Sequence, residues 1–261
     1  MKLKVLGTQS PYATNNHNCP GFLIISGDCK IMLDCGSGTH RLLQYPNDLQ
    51  NLNVIITHLH EDHYSDIGEI QYTSYCFGNQ KRLENPITIF MPQTPEDKYR
   101  KVVDEKDSYA EYYQINENKQ IKIRDLNINF LKTDHAIETY AVKVSNGNKT
   151  IVYTSDTSFS GKDKLVEFAS GADLLICESS LLKEHGFPEI NSHLAAYQAA
   201  TIAKQANVKG LMLTHFWPEE PVEKYVSEAK TIFSKVIAAK EGTIIDFENI
   251  EKKVEDINKI F

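Results

Sequence analysis

The sequence predicts an α/β fold, a single domain of layered β-sheets and helices that spans residues 1–261. Short apolar, β-branched segments recur in both halves of the chain, and segments with helical periodicity lie between them. No stretch rich in Pro, Gly or Ser interrupts this pattern, so we expect no linker between separate domains.

The first half of the chain begins with strands and then alternates strands with helices. The predicted strands are Lys2 to Leu6, Gly21 to Ser26, Lys30 to Asp34, Asn53 to Thr57 and Ile87 to Met91. Gly27-Asp28 is expected to turn a hairpin. Helices are predicted beyond Gly36-Ser37-Gly38, with Leu42 and Leu43 inward, and over the apolar spacing Ile67, Ile70, Tyr72, Tyr75. The polar, Tyr-rich segment from Thr94 to Asn118 is predicted to be helix and loop that cover one edge.

The second half repeats the alternation of strand and helix. The predicted strands are Ile121 to Arg124, Ile128 to Thr133, Tyr140 to Ser145, Thr150 to Thr154, Asp173 to Cys177 and Gly210 to Thr214. Asn146-Gly147 is a strong hairpin-turn signal. The predicted helices are Leu194 to Gln205, which is rich in alanine, and Glu223 to Ala239.

The composition is that of an ordinary globular protein, with 41% hydrophobic and 24% charged residues. The segment Met1 to Gly7 lacks the apolar run of a signal peptide, and no stretch reaches the ~18 apolar residues of a membrane span, so we expect no membrane association. The five cysteines are scattered and never spaced as C-x-x-C, which favours reduced thiols in a cytoplasmic protein. A net charge of −7 argues against non-specific nucleic-acid binding, although a local basic patch could override it.

The segment Thr57-His-Leu-His-Glu-Asp-His63 supplies three imidazoles and a carboxylate between His58 and His63. A strand that ends here would point His58 and His60 to the same side, because side chains alternate along a strand. Nitrogen and oxygen donors of this kind are typical of zinc sites. The alternative is a solvated turn that is rich in histidine by chance. It is disfavoured because only nine histidines occur in 261 residues.

Three further donor residues come directly after predicted strands. His135 follows Ile128 to Thr133, Asp156 follows Thr150 to Thr154, and His215 follows Gly210 to Thr214. Any one of them alone would more often be a loop residue or a core histidine. In all three cases, a His or Asp follows the end of a strand that we expect to be buried. This repeated arrangement predicts a shared metal site. The candidate donors are His58, His60, Asp62, His63, His135, Asp156 and His215.

These motifs together resemble the metallo-β-lactamase-fold hydrolases and, within them, the RNase Z-like branch. The resemblance extends from Lys2 to about Trp217 and rests on H-L-H-E-D-H, T-D-H-A-I-E-T-Y-A, V-Y-T-S-D-T, C-E-S-S, S-H-L-A-A and L-T-H-F, in that order. It implies a four-layer αββα sandwich with two divalent metal ions at one edge of the two sheets. Zinc is the expected metal, with manganese or iron as alternatives that nitrogen and oxygen ligation does not separate.

The resemblance also assigns roles to individual residues. It places His58, His60 and His135 on one metal, Asp62, His63 and His215 on the other, and Asp156 as the bridge. A hydroxide shared by the metals would attack the substrate, and Asp62 could orient it or accept its proton. Glu178 and His193 match the acidic residue and the non-ligand catalytic histidine of the branch, and would assist the leaving group. Without the resemblance, His193 would be interpreted as a helix N-terminal residue with no chemistry.

The chain departs from the branch at one place. Only 20 residues lie between His135 and Asp156, where tRNA 3′-processing endonucleases of the bacterial type usually insert a long arm. The sequence therefore favours a phosphodiesterase that cleaves a small phosphodiester, such as a cyclic nucleotide or a sugar-phosphate diester. The alternatives are an RNase Z-like tRNA 3′-endonuclease, which would bind nucleic acid, and a lactonase- or thioesterase-type ester hydrolase. A non-enzymatic metal-binding role is the least favoured. A homodimer is expected because it is common in the branch.

Overall fold

The computed structural model describes residues 1–185 and 192–248, which form two compact units. The N-terminal unit comprises Lys2–Ile115 with Lys240–Ile244. The C-terminal unit comprises Asn116–Ala239 with Met1 and the described residues from Ile245. Each unit is built around a seven-stranded sheet in which parallel and antiparallel neighbours are mixed. None of the described helices is long and apolar enough to cross a membrane.

The N-terminal unit begins with an antiparallel meander and continues with parallel strands. Its strands are β1 (Lys2–Gly7), β2 (Gly21–Ser26), β3 (Cys29–Leu33), β4 (Leu52–Ile55), β5 (Ile87–Met91) and β6 (Ala110–Gln114). Strands β1 to β3 pair antiparallel, and β3 to β6 pair parallel. Its helices are α1 (Glu61–Tyr64), α2 (Ile67–Asn79) and α3 (Glu96–Val103). The crossover from β4 to β5 carries α1 and α2, and the crossover from β5 to β6 carries α3.

The C-terminal unit has the same mixture of pairings. Its strands are β7 (Gln120–Ile123), β8 (Leu126–Lys132), β9 (Tyr140–Ser145), β10 (Thr150–Tyr153), β11 (Leu174–Glu178), β12 (Leu211–Thr214) and β13 (Val236–Ala238). Its helices are α4 (Lys162–Phe168), α5 (Ala196–Gln205) and α6 (Val222–Lys230). Strands β7 to β10 pair antiparallel and β10 to β13 pair parallel. A last strand, β14 (Ile244–Asp246), stands next to β1 in the order of the first sheet.

The core of the C-terminal unit depends on the small side chains of α5. Ala196, Ala199, Ala200 and Ala203 are fully buried in a cluster that also holds apolar residues of β11 and β12. Alanine favours the helix and lets its backbone lie close to the sheet. Helix α5 therefore packs closely against β11 and β12.

Four of the predicted elements need correction. Strand β4 ends at Ile55 and not at Thr57, so His58 and His60 lie in the segment that links β4 to α1. The predicted helix and loop over Thr94 to Asn118 contains α3 but also strand β6. This strand pairs with β5 and leaves part of its surface exposed, which is why its polar, Tyr-rich sequence lacks the apolar signal of a buried strand.

The predicted helix from Glu223 to Ala239 is too long. Helix α6 ends at Lys230, and Val236–Ala238 form strand β13, which pairs parallel to β12. The predicted helix beyond Gly38 is a single 3₁₀ turn over Thr39–Leu42, and Leu42 is half-buried, whereas Leu43 is buried as expected. Strand β14 was not predicted.

Candidate metal centre

The histidine segment of the N-terminal unit, residues 57–63, begins shortly after the end of β4 and extends into α1. His58 and His63 are fully buried, and His60 is half-buried. His60 has extended backbone angles (φ −81°, ψ 144°) and precedes α1, which carries Asp62 and His63. The strand exit and the short helix together bring four donor side chains into one segment.

Two of these side chains converge as metal ligands would. His58 Nε2 lies 3.1 Å from His60 Nδ1. Two nitrogens bound at ~2.0–2.1 Å to one tetrahedral zinc would be separated by ~3.3 Å. The spacing of these nitrogens therefore fits a divalent metal, and their chemistry suits zinc, manganese or iron.

Asp34, directly after β3, holds the histidine segment in place. Its carboxylate is fully buried and accepts hydrogen bonds from Thr57 N (2.8 Å), from Thr57 Oγ1 (2.9 Å) and from His63 Nδ1 (2.8 Å). Because a carboxylate only accepts, the proton of the neutral His63 ring resides on Nδ1. The other nitrogen, Nε2, lies 3.5 Å from Asp62 Oδ2 and is left with a lone pair for a metal.

Asp62 is held from two sides. Ser10 Oγ donates a hydrogen bond to Asp62 Oδ2 at 2.7 Å. A Cβ atom at Gly36 would lie 1.9 Å from the backbone oxygen of Asp62. Only glycine therefore permits this close approach of the two backbones.

In the C-terminal unit, the candidate residues lie at one edge of the sheet. Strands β10, β11 and β12 run parallel, so their carboxyl ends meet at that edge. Asp156 follows β10, Glu178 is the last residue of β11, and His215 follows β12. His135 follows β8, which runs in the same direction as β10 because β9 pairs antiparallel with both.

The two carboxylate oxygens of Asp156 face two different imidazoles. Asp156 Oδ1 lies 3.2 Å from His215 Nε2, and Oδ2 lies 3.7 Å from His135 Nε2. The ligand atoms of Asp156, His193 and His215 lie within 4.8 Å of one another. A carboxylate whose oxygens each face a separate imidazole nitrogen has the geometry that a bridging ligand requires.

The proton of His135 is fixed by a backbone group. His135 Nδ1 lies 2.9 Å from the carbonyl oxygen of Ser192, which can only accept. Burial lowers the pKa of His135, which favours the neutral ring. Its Nε2 atom, on the side of Asp156, is therefore available as a metal ligand.

Glu178 and His193 form a hydrogen-bonded pair. His193 Nδ1 lies 3.0 Å from Glu178 Oε1, and Glu178 is fully buried. Glu178 Oε1 also accepts from Thr157 N at 3.1 Å, and Oε2 accepts from the backbone and the hydroxyl of Ser180 at 3.2 and 2.9 Å. These four hydrogen bonds fix the position of the buried carboxyl group. The carboxylate in turn orients the ring of His193.

Ser10 and Ser180 belong to the site's surroundings but were not predicted. Ser180 stands in the C-E-S-S motif, in which the family resemblance assigns a role only to Glu178. Ser10 lies in the loop between β1 and β2 and carries no motif, so only the folded structure reveals its contact with Asp62.

Comparison with known proteins gives the family context. Residues 1–187 match the family model described as "Anti-Pycsar protein Apyc1". The chain is 29% identical to the probable metallo-hydrolase YhfI of Bacillus subtilis, over 94% of this chain and 99% of YhfI. It is 25% identical to a ribonuclease Z of Chlamydia trachomatis, over 94% of this chain and 97% of that protein.

Solved structures agree with the sequence comparison. The crystal structure of YhfI, a metallo-β-lactamase-fold protein, matches with a TM-score of 0.86 at 30% identity, over 94% of this chain and 98% of that one. A diphosphatase of the PhnP family matches with a TM-score of 0.74 at 15% identity, over 94% and 97% of the two chains, which is a likeness of fold alone. The predicted fold class and the predicted RNase Z-like branch are both confirmed.

Proposed function

Because the chain belongs to the family of the anti-Pycsar protein Apyc1 and is a metal-dependent hydrolase related to ribonuclease Z, we propose that it is a phosphodiesterase. Its substrate would be a small phosphodiester, such as a cyclic nucleotide or a sugar-phosphate diester. The observation that carries this proposal is the 3.0 Å contact between His193 Nδ1 and Glu178 Oε1. An alkoxide that leaves phosphorus needs a proton, and an imidazole oriented by a carboxylate can donate one.

The proposed cofactor is a pair of divalent metal ions, with zinc as the preferred metal. The proposed ligands are those of the family resemblance, with His58, His60 and His135 for one ion, Asp62, His63 and His215 for the other, and Asp156 shared. When bound, the ions would supply a water molecule of lowered pKa, ~7, and would neutralise charge on the reacting phosphate. Acceptor oxygens lie beside Nδ1 of both His63 and His135, which supports this role for the Nε2 atoms of the two rings.

Side chains of the protein donate and accept the protons that the reaction requires. Glu178 accepts a hydrogen bond from the Nδ1–H group of His193 and stabilises the imidazolium, which holds a second proton at Nε2 for the leaving oxygen. Asp62 orients the nucleophile or accepts its proton, and Ser10 fixes the carboxylate through a 2.7 Å hydrogen bond. After the leaving group has taken the proton, neutral His193 is reprotonated from solvent.

The segment between β9 and β10 supports a small substrate. It is a tight hairpin closed by the hydrogen bond from Asn146 N to Lys149 O at 3.2 Å, with Gly147 at φ 86°. No arm for gripping a tRNA body can emerge from such a turn. The net charge of −7 also provides little attraction for a large polyanion. A tRNA 3′-endonuclease is the second candidate, favoured by the similarity to ribonuclease Z.

The proposal is tested by comparing substrates on one preparation of the protein. We expect turnover of bis(p-nitrophenyl) phosphate to exceed turnover of a lactone and of a thioester. A greatly faster ester reaction would contradict the proposal, and efficient cleavage of a 3′-extended tRNA precursor would favour the second candidate.

The variant His193→Ala tests the proposed acid. We expect it to lower diester turnover by ~10²-fold or more with the metal content unchanged, because general acid catalysis contributes about that factor. His17→Ala is the matched control, since His17 lies at the surface against Glu241, and it should retain wild-type turnover. Loss of metal from His193→Ala would make His193 a ligand instead of an acid.

Two further properties remain proposals. The five cysteines are free thiols, which suits a reducing compartment such as the cytoplasm. A homodimer is proposed from the resemblance to the branch, and light scattering on the purified protein would test it.

A further inference from the structure

The hydroxyl group of Ser180 contacts three side chains of the candidate site in the C-terminal unit. It follows β11 and is buried. Its hydroxyl lies 2.9 Å from Glu178 Oε2, 2.7 Å from His215 Nδ1 and 3.4 Å from His193 Nδ1. The hydroxyl therefore contacts the proposed metal ligand His215 and both members of the proposed acid pair.

The directions of these hydrogen bonds follow from counting protons. A serine hydroxyl carries one hydrogen, and a carboxylate can only accept. The Ser180 proton is therefore donated to Glu178 Oε2, and the Ser180 oxygen must act as the acceptor toward His215 Nδ1. The N–H group at His193 Nδ1 donates its hydrogen bond to Glu178 Oε1, because this contact (3.0 Å) is shorter than the contact to Ser180 Oγ (3.4 Å).

The contact with Ser180 determines which nitrogen of the neutral His215 ring carries the proton. If its Nδ1 atom donates to Ser180, the neutral ring has no proton on Nε2. Nε2 is the atom that lies 3.2 Å from Oδ1 of Asp156, another of the proposed ligands. The opposite tautomer would place a proton on Nε2 and block its lone pair.

We propose that Ser180 is a positioning residue that fixes His215 as the Nδ1–H tautomer and links this ligand to the Glu178–His193 pair. This inference rests on the proposed metal-dependent function. Ser180 touches no reacting atom and acts through His215 and Glu178. Partners of this kind typically change metal affinity by ~10–100-fold when they are removed.

The adjacent residue provides a matched control. Ser179 is also buried, and its hydroxyl donates to the backbone oxygen of Thr214 at 3.0 Å. Among the described residues, Ser179 forms no hydrogen bond with a histidine or a glutamate. Ser179→Ala therefore removes a buried serine hydroxyl from the same segment without changing the proton count at His215. Ser180→Thr is the conservative variant, because it keeps the hydroxyl.

The experiment measures zinc affinity and a proton signal in the full-length, zinc-loaded protein. Competition with a chelator gives the affinity, and ¹⁵N-edited NMR detects the Nδ1–H proton of His215. We expect Ser180→Ala to weaken zinc binding by ~10–100-fold and to lose the exchange-protected Nδ1–H signal. Ser180→Thr and Ser179→Ala should retain both properties. Thermal unfolding of all three variants would show whether a general loss of stability explains the change.

Two results would overturn the inference. One is a wild-type protein that binds zinc but shows no protected Nδ1–H signal at His215. The other is a Ser180→Ala variant with wild-type zinc affinity. The proposed phosphodiesterase function fails separately, if the wild-type protein shows the predicted signal and affinity but does not turn over phosphodiesters.

Discussion

The substitution Asp34→Asn tests how the fold prepares His63 for metal binding. Asp34 has a left-handed backbone conformation (φ 56°), which asparagine tolerates well, so the change is confined to the side chain. The carboxylate receives the backbone N–H and the hydroxyl of Thr57 and the ring N–H of His63. An amide replaces one accepting oxygen by a group that donates two hydrogens.

Either orientation of the new amide loses an interaction. If its nitrogen faces His63, two donors oppose each other unless the ring moves its proton to Nε2, which removes the lone pair for the metal. If its nitrogen faces Thr57 N–H, a buried backbone donor loses its acceptor. A hydrogen bond to a charged group contributes ~1.5–3 kcal/mol, so we expect the free energy of unfolding to fall by about that amount. We also expect metal affinity to fall by ~10–100-fold, the usual effect of losing such a partner.

The measurements are chelator competition for the bound metal and urea unfolding of the same samples. Asp48→Asn is a suitable control, because Asp48 is another buried carboxyl and accepts a hydrogen bond from Gln44 N at 2.8 Å. Within the described part of the chain, Asp48 forms no hydrogen bond with any of the candidate donor histidines. The control should bind metal like the wild-type protein. Wild-type metal affinity in Asp34→Asn would refute the idea that Asp34 fixes the proton of His63.

Two further predictions concern packing near the histidine segment. Gly36→Ala places a Cβ 1.9 Å from the backbone oxygen of Asp62, so we expect the free energy of unfolding, measured in urea, to fall by ~1–3 kcal/mol. The control Gly68→Ala, whose Cβ would have no atom within 4 Å, should leave this free energy unchanged or raise it. Equal stability of the two variants would contradict the close approach of Gly36 to Asp62. Burial raises the pKa of the Cys19 thiol to about 12. At pH 8 we therefore expect iodoacetamide to label the half-buried Cys76 before Cys19, as measured by mass spectrometry. Rapid labelling of Cys19 in the native protein would contradict this prediction.

The strands that deliver the donor residues could be predicted because their signal is local. Strands β10 and β12 are short apolar runs whose residues are almost all buried, and each is followed by a donor, Asp156 or His215. A buried parallel strand needs apolar residues on both faces, and this requirement is visible in a single sequence. The convergence of their carboxyl ends then follows from parallel pairing.

The elements that were missed depend on contacts distant in sequence. Strand β6 exists because it pairs with β5, from Ile87 with Ala110 to Met91 with Gln114. Strand β13 exists because Val236 to Ala238 pair with β12, although the preceding helical pattern favours continuation of α6. Local propensity does not contain this information.

The same limit applies to the surroundings of the site. Ser180 and Ser10 contribute single hydroxyl groups whose partners are fixed only when separate loops come together. The histidines and acids could be found from residue type and position after a strand, whereas the tautomer of each ring depends on which acceptor lies beside it.

The proposed chemistry depends most directly on bound metal. The decisive measurement is elemental analysis of the purified protein by mass spectrometry, combined with diesterase activity before and after treatment with a chelator. We predict close to two divalent transition-metal ions per chain, loss of activity when they are removed, and recovery when zinc or manganese is restored. A protein with no metal above background, or one whose diesterase activity survives complete removal of the metal, would contradict the account.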